Sequence, residues 1–160
     1  MSLADKVRIL YVENDISQSE TVKGILERKL GADYSIELAI SYPKAVEAIK
    51  KNGAKHYALY ILDVKLKDGN GIDIVRMLRK SKQDQGMGYN GYIVILTDGP
   101  FTQVKAELEG VGIRKIEYVM KPLAPEEKLN EFVAMLRKIA GKKDSLGNYI
   151  AASDDYLDGT

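Results

Sequence analysis

Four places in this sequence of 160 residues hold side chains that could do chemistry together: Glu13-Asn14-Asp15, Asp63, Thr97-Asp98 and Lys121. Each directly follows a short apolar run. Carboxylates with carbonyl oxygens suit a hard divalent cation such as Mg²⁺. A lysine ammonium can neutralise such a cluster or hold an anion brought to it. No glycine-rich phosphate loop follows the first apolar run, and acids there repel a bare phosphate, so a phosphoryl group arriving here needs the metal as a bridge. Cysteine is absent, which excludes disulfides, thiolate metal sites and cysteine nucleophiles. The one histidine, His56, reads as a loop residue and rules out a His-rich metal site.

These residues are useful only if the elements before them end at one rim. Val7–Val12, Ala58–Leu62 and Tyr92–Leu96 are near-continuous apolar runs, as expected of strands covered on both faces of a parallel sheet. Ser35–Ile40 and Ile116–Met120 alternate more and suit sheet edges. Helix-period segments lie between them. Asp15 with Gln18 resembles a capping box, followed by Val22, Ile25, Leu26 and Leu30 on one face and Gly31 as a stop. Ser41 and Pro43 open a second helix with Val46 and Ile49 inward. Asn70 caps a third using Ile72, Val75 and Leu78. Phe101 to Glu109 is a weaker fourth. Pro125 opens a fifth with Leu129, Phe132, Val133, Leu136 and Ile139 as its apolar stripe. Five βα units imply an α/β doubly wound, flavodoxin-like fold with a parallel five-stranded sheet in order 2-1-3-4-5. Ligands in such sheets bind beyond the carboxyl ends of the strands, which is where the polar residues fall.

With its motifs in that order, the chain resembles the receiver domain of the two-component response-regulator family. The resemblance rests on Ile9-Leu10-Tyr11-Val12-Glu13-Asn14-Asp15, on Leu62-Asp63-Val64-Lys65-Leu66 followed by Asn70-Gly71, on Ile95-Leu96-Thr97, and on Tyr118-Val119-Met120-Lys121-Pro122. It covers residues 6–141, leaving 142–160 as a flexible acidic tail or the start of a linker. It implies that Asp63 accepts a phosphoryl group from a sensor histidine kinase or phosphotransfer protein with Mg²⁺. Glu13 matches an acid that holds the metal through water, Asn14 and Asp63 sit at direct-ligand positions, and Lys65 supplies a backbone carbonyl. Thr97 and Lys121 contact the phosphoryl oxygens, and Tyr118 matches an aromatic that turns inward when Thr97 moves. Lys121-Pro122 is a candidate cis peptide. Phosphorylation would then shift a face of the fourth helix, fifth strand and fifth helix, which is also a candidate surface for homodimerisation. Such a domain is a regulatory phosphoacceptor, not an enzyme, capable at most of self-phosphorylation and autodephosphorylation.

Several residues depart from the family pattern, Lys67 mildly, since it stands where a Pro is common. Asn14 stands where an acid is usual, removing one negative charge from the metal site. Asp98 follows the switch Thr where a small residue is usual, restoring charge or hindering phosphoryl access. Lys65 is placed to pair with Asp63. Asn14 and Asp98 support an alternative: a degenerate receiver acting as a phosphorylation-independent protein-interaction module. A phosphatase or flavin protein fits worse. The former wants a second acid at the position of Lys65, and the latter a hydroxyl- and Gly-rich loop where Glu13-Asn14-Asp15 stands.

Composition sets the frame. Hydrophobic residues at 45% and charged residues at 29% are ordinary for one globular domain. A formal net charge of +1 disfavours a generic polyanion binder. No helix-turn-helix pattern follows the fifth helix, so direct nucleic-acid contact is not expected. No membrane span and no signal-peptide core are found, so a soluble cytoplasmic protein is expected.

Overall fold

The computed structural model describes residues 6–111, 114–123, 126–140, 142–143 and 149–150. Five parallel strands form one sheet: β1 (Val7–Val12), β2 (Tyr34–Ala39), β3 (Leu59–Asp63), β4 (Tyr92–Thr97) and β5 (Ile116–Met120). Their spatial order is β2-β1-β3-β4-β5, the doubly wound order expected from the sequence. Five helices alternate with them: α1 (Ile16–Leu30), α2 (Tyr42–Asn52), α3 (Gly71–Arg79), α4 (Phe101–Glu107) and α5 (Glu126–Ile139).

The period-2 alternation of the central strands feeds two cores at once. Ile9, Tyr11, Ile61, Val94 and Leu96 face α1 and α5, where they meet Leu26, Leu30, Phe132, Leu136 and Ile139. Leu10, Val12, Tyr60, Leu62, Ile93 and Ile95 face the other way, against Ala45, Ile49, Ile72, Val75 and Leu78. Burial on both faces is why these runs are continuously apolar. The edge strands β2 and β5 keep partly exposed residues.

The caps work as the residue types demand. Asp15 accepts from the Gln18 amide, Ser41 from Lys44 and Asn70 from Ile72, each supplying a partner to an orphan N–H of a first turn. Several boundaries differ from expectation: β3 starts and ends one residue later, at Leu59 and Asp63, and β4 runs on to Thr97. β2 starts and ends one residue earlier, and α4 stops at Glu107, where the chain turns through Leu108 to Gly110. In α2 the core position next to Ile49 is taken by Ala45, and Val46 is half-buried; a short side chain fits where the helix lies close to the sheet. Pro125 lies outside the described residues. So does most of 142–160, within which Lys142–Lys143 pairs antiparallel with Tyr149–Ile150.

Candidate functional site

The carboxyl ends of β1, β3, β4 and β5 converge as the topology requires. Glu13 continues the β1 ladder through its amide bond to Ala39 O (3.1 Å), which keeps its side chain inside at 1% exposure. Asp63 is the last residue of β3 and is 5% exposed. Lys121 reaches them from the end of β5, held there by its own amide donating to Thr97 O at 2.8 Å. Its ammonium lies 3.1 Å from Glu13 Oε2 and 3.0 Å from Asp63 Oδ2, so one cation bridges two buried acids. The remaining oxygens are served by backbone: Asp15 N–H donates to Glu13 Oε1 (3.3 Å) and Lys65 N–H to Asp63 Oδ1 (3.2 Å).

The electrostatics follow from burial. Glu13 is held above the usual carboxylate range by desolvation first, then by its contact with Asp63, with Lys121 pulling the other way. Burial alone would lower Lys121, but its hydrogen bonds to Asp63 and Glu13 outweigh that and the net direction is upward.

The loop after β3 is shaped around Asp63. Val64 N–H donates to Leu96 O (3.2 Å), then a two-residue strand Lys65–Leu66 turns back on Gly69–Asn70. Gly71 N–H donates to Val64 O (2.9 Å), so Lys65 opposes Asn70 in a non-hydrogen-bonded pair and its carbonyl is outside the ladder. Gly71 itself has no room for a side chain, since a Cβ there would lie 2.1 Å from Asp63 O. Sequence reasoning placed Gly71 in a motif but missed this close approach; the Asn-Gly pair directly before the helix was its only signal.

Thr97 is buried at the end of β4 and accepts from Gly99 N–H (3.0 Å), while its own hydroxyl has only a 3.5 Å contact to Gly99 O. Asn14 is exposed at the rim, and Asp15 is committed to capping α1. Lys65 corrects an expectation: its ammonium pairs with Asp98 (3.4 Å) and not with Asp63, whose carboxylate is already taken by Lys121 and backbone. Tyr118 sits on β5 against Phe101 (5.8 Å between rings) with Lys105 Nζ 5.2 Å from its centroid. Its hydroxyl is buried and makes no hydrogen bond among the described residues, and burial raises its pKa. Lys121-Pro122 is cis, as the resemblance implied. Among the described residues no group of three or more Asp, Glu or His side chains is placed to hold a metal ion by itself, and no helix is long and apolar enough to cross a membrane.

Comparisons with known proteins bear on the family and the fold. The profile of the response regulator receiver domain matches residues 9–133. The transcriptional regulatory protein SilR of Salmonella typhimurium, itself described as probable, is 32% identical over 82% of this chain and 52% of its own length. The response regulator MprA of Mycobacterium avium is 29% identical over 95% of this chain and 60% of its own. The chain thus spans about half to three-fifths of these curated relatives. Among solved structures, a two-component response regulator from Legionella pneumophila shares 25% identity at a TM-score of 0.58, covering 81% of this chain and 99% of that one. A CheY-like receiver from Methanospirillum hungatei, at 24% identity and a TM-score of 0.57 over 83% of this chain and 98% of its own, supports the fold. The chain belongs to the response regulator receiver domain family of two-component signalling, a regulatory module and not an enzyme.

Proposed function

We propose that this domain, residues 6–141, is a phosphorylation-dependent switch in which Asp63 accepts a phosphoryl group from the phosphohistidine of a sensor histidine kinase or phosphotransfer protein in the cytoplasm. The supporting observation is the Lys121 ammonium 3.0 Å from Asp63 Oδ2, with Thr97 at the neighbouring strand end. An Asp63 carboxylate oxygen attacks phosphorus in line, the P–N bond breaks, and its electron pair stays on the imidazole nitrogen. Lys121 then has a phosphoryl oxygen to pair with in place of a carboxylate, and the weakly engaged Thr97 hydroxyl is free to donate to another. Tyr118 and the face formed by α4, β5 and α5 would carry the response, and that face is the candidate surface for a homodimer.

The donor set fits Mg²⁺ with one carboxylate fewer than a full acidic triad. Glu13, Asp63, the Asn14 amide oxygen and the Lys65 carbonyl, unused by the ladder, are hard oxygen donors that would hold it. When bound, the ion offsets charge on the transferring group. Mass spectrometry after incubation with acetyl phosphate and Mg²⁺ tests the reading. One added phosphoryl group, absent in Asp63→Ala, is expected; no adduct at any Mg²⁺ concentration, or an equal adduct in Asp63→Ala, overturns it.

A second reading, a phosphorylation-independent interaction module, is favoured by one observation: Lys121 already bridges both buried acids, while Asn14 adds no charge. It predicts weak Mg²⁺ binding and unchanged partner affinity in Asp63→Ala. A gain of Mg²⁺ affinity in Asn14→Asp would identify the missing carboxylate as the defect.

A further inference from the structure

Asparagine precedes glycine at three places, Asn52-Gly53, Asn70-Gly71 and Asn90-Gly91. A glycine leaves its own amide nitrogen unobstructed, so each pair is chemically able to close a ring on the asparagine side chain. The fold ties up two of them. Gly53 N–H donates to Ile49 O (2.8 Å) at the end of α2, and Asn52 Nδ2 donates to Tyr57 Oη (3.1 Å). Gly71 N–H donates to Val64 O (2.9 Å), and Asn70 Oδ1 accepts from Ile72 N–H (2.8 Å) as the α3 cap. Asn90 is exposed in irregular backbone, and among the described residues neither its side chain nor Gly91 N–H makes a hydrogen bond. Gly91 cannot give way to a bulkier residue that would shield the site, because a Cβ there would run into Tyr89 Oη.

We propose that Asn90 is a self-modification site, which deamidates ahead of Asn52 and Asn70 and yields isoaspartate in the segment that wraps the C-terminus of α3. The Gly91 nitrogen, its proton taken by hydroxide, attacks Cγ of Asn90. The Cγ–Nδ2 bond breaks, and Nδ2 leaves as ammonia with a proton from water. Water then opens the five-membered imide. Attack at Cγ gives aspartate, and attack at the main-chain carbonyl gives isoaspartate, whose main chain runs through Cβ and Cγ. Water and hydroxide are the only co-reactants, so the inference stands apart from the phosphoacceptor reading.

An isoaspartate adds one main-chain bond, about 1.5 Å of chain, between two fixed points. Tyr89 is held by its N–H on Leu78 O (2.7 Å), by Arg79 donating to its carbonyl (2.7 Å) and by its hydroxyl on Tyr57 O (3.2 Å). Tyr92 is buried and in register with Leu59. Only Asn90 and Gly91 lie between them, so the added length loosens the weaker anchorage. That is the wrap, whose contacts are single hydrogen bonds, and not β4, which is paired on both sides. Ordinary aspartate adds charge but no length and leaves the wrap in place.

Trypsin places the three asparagines in separate peptides, 52–55, 68–76 and 83–105. The folded protein is incubated in mildly alkaline buffer, and each peptide is followed by mass spectrometry for a gain of one dalton. Asn90 should deamidate about two- to tenfold faster than Asn52 or Asn70, the protection that one hydrogen bond confers. In guanidinium chloride the three rates should converge. Asn90→Gln, whose longer side chain closes a six-membered ring far more slowly, should abolish the gain in 83–105 with an unchanged urea midpoint. No gain at Asn90, a faster gain at either other site, or the same rank order in denaturant overturns the proposal. Amide hydrogen exchange reads the consequence: Met87, Gly88 and Tyr89 should exchange about two- to tenfold faster in aged protein than in Asn90→Asp. Equal exchange in the two would sink the isoaspartate step.

Discussion

Because Glu13 and Asp63 both accept from the Lys121 ammonium, removing that one group leaves two buried acids with only backbone N–H partners. Lys121→Met should therefore lower the unfolding free energy by about 3 kcal/mol, the lower end for breaking a buried pair, because Lys121 keeps some contact with water. Urea denaturation at neutral pH measures it. The deficit should shrink as pH falls. Glu13 has its folded pKa above its unfolded one, so the stability gained from its protonation is full below the unfolded pKa and lost as pH rises through the folded value. Without Lys121 pulling it down, that upward displacement grows and the variant regains more on acidification than the parent. Gly71 tests the same site through the backbone. Gly71→Ala puts a methyl 2.1 Å from Asp63 O, and overpacking of this kind costs about 1–3 kcal/mol. Asp63 phosphorylation should slow with it. Gly24→Ala, a helix-interior position with open space around it, should instead be stabilising by up to about 1 kcal/mol.

At the scale of elements, the long segment between α3 and β4 shows what a linear pattern could not reveal. Residues 81–91, rich in Gly, Gln and Asn, form a longer loop than a βα unit usually needs. In the fold it wraps the C-terminus of α3: Met87 N–H donates to Met77 O, Tyr89 to Leu78 O and Gly88 to Lys80 O, supplying the carbonyls that a helix end leaves orphaned. Tyr89 is buried in the core beside Tyr60, and Arg79 donates to the carbonyls of Tyr89, Arg114 and Lys115. Strands, caps and the α5 stripe were legible because propensity and period act locally. The Arg79 clamp, the Lys65–Asp98 pair and the double role of Lys121 join residues far apart, and depend on distances that spacing along a chain does not encode. The edge of the sheet offers a pH test of such a long-range tie. Tyr57 donates to Glu37 of β2 and accepts from Asn52 at the end of α2, and burial pushes its pKa up to about 12. The protonated form is the one the fold prefers, so its contribution is full below the unfolded tyrosine pKa and lost as pH rises through the folded value. At about 1.4 kcal/mol per pKa unit, that is roughly 2–3 kcal/mol across the window from about pH 10 to 12. Tyr57→Phe should lose correspondingly less stability over the same window, as read by denaturant midpoints at stepped pH.

For the whole molecule, the site's rigidity comes from a sheet shared by two cores. Neither core belongs to one strand: β1, β3 and β4 send alternate side chains into both. A strand cannot leave the α1–α5 layer without also emptying the layer packed against α2 and α3. Glu13, Asp63 and Thr97 stand at the ends of these same strands, so local opening of the site is opposed by both layers. The consequence is one cooperative unfolding transition. Leu26→Ala on the α1 side and Leu78→Ala on the α3 side each remove a fully buried side chain, and each should cost about 2–5 kcal/mol. If the cores are energetically one, both variants shift the urea midpoint with the slope unchanged, and far-UV circular dichroism coincides with tyrosine fluorescence in each. Separate layers would instead give a split transition, with only the mutated side melting early. Coincident curves in both variants would mean that the Asp63 end of β3 is held as firmly by residues on α1 and α5 as by those on α3.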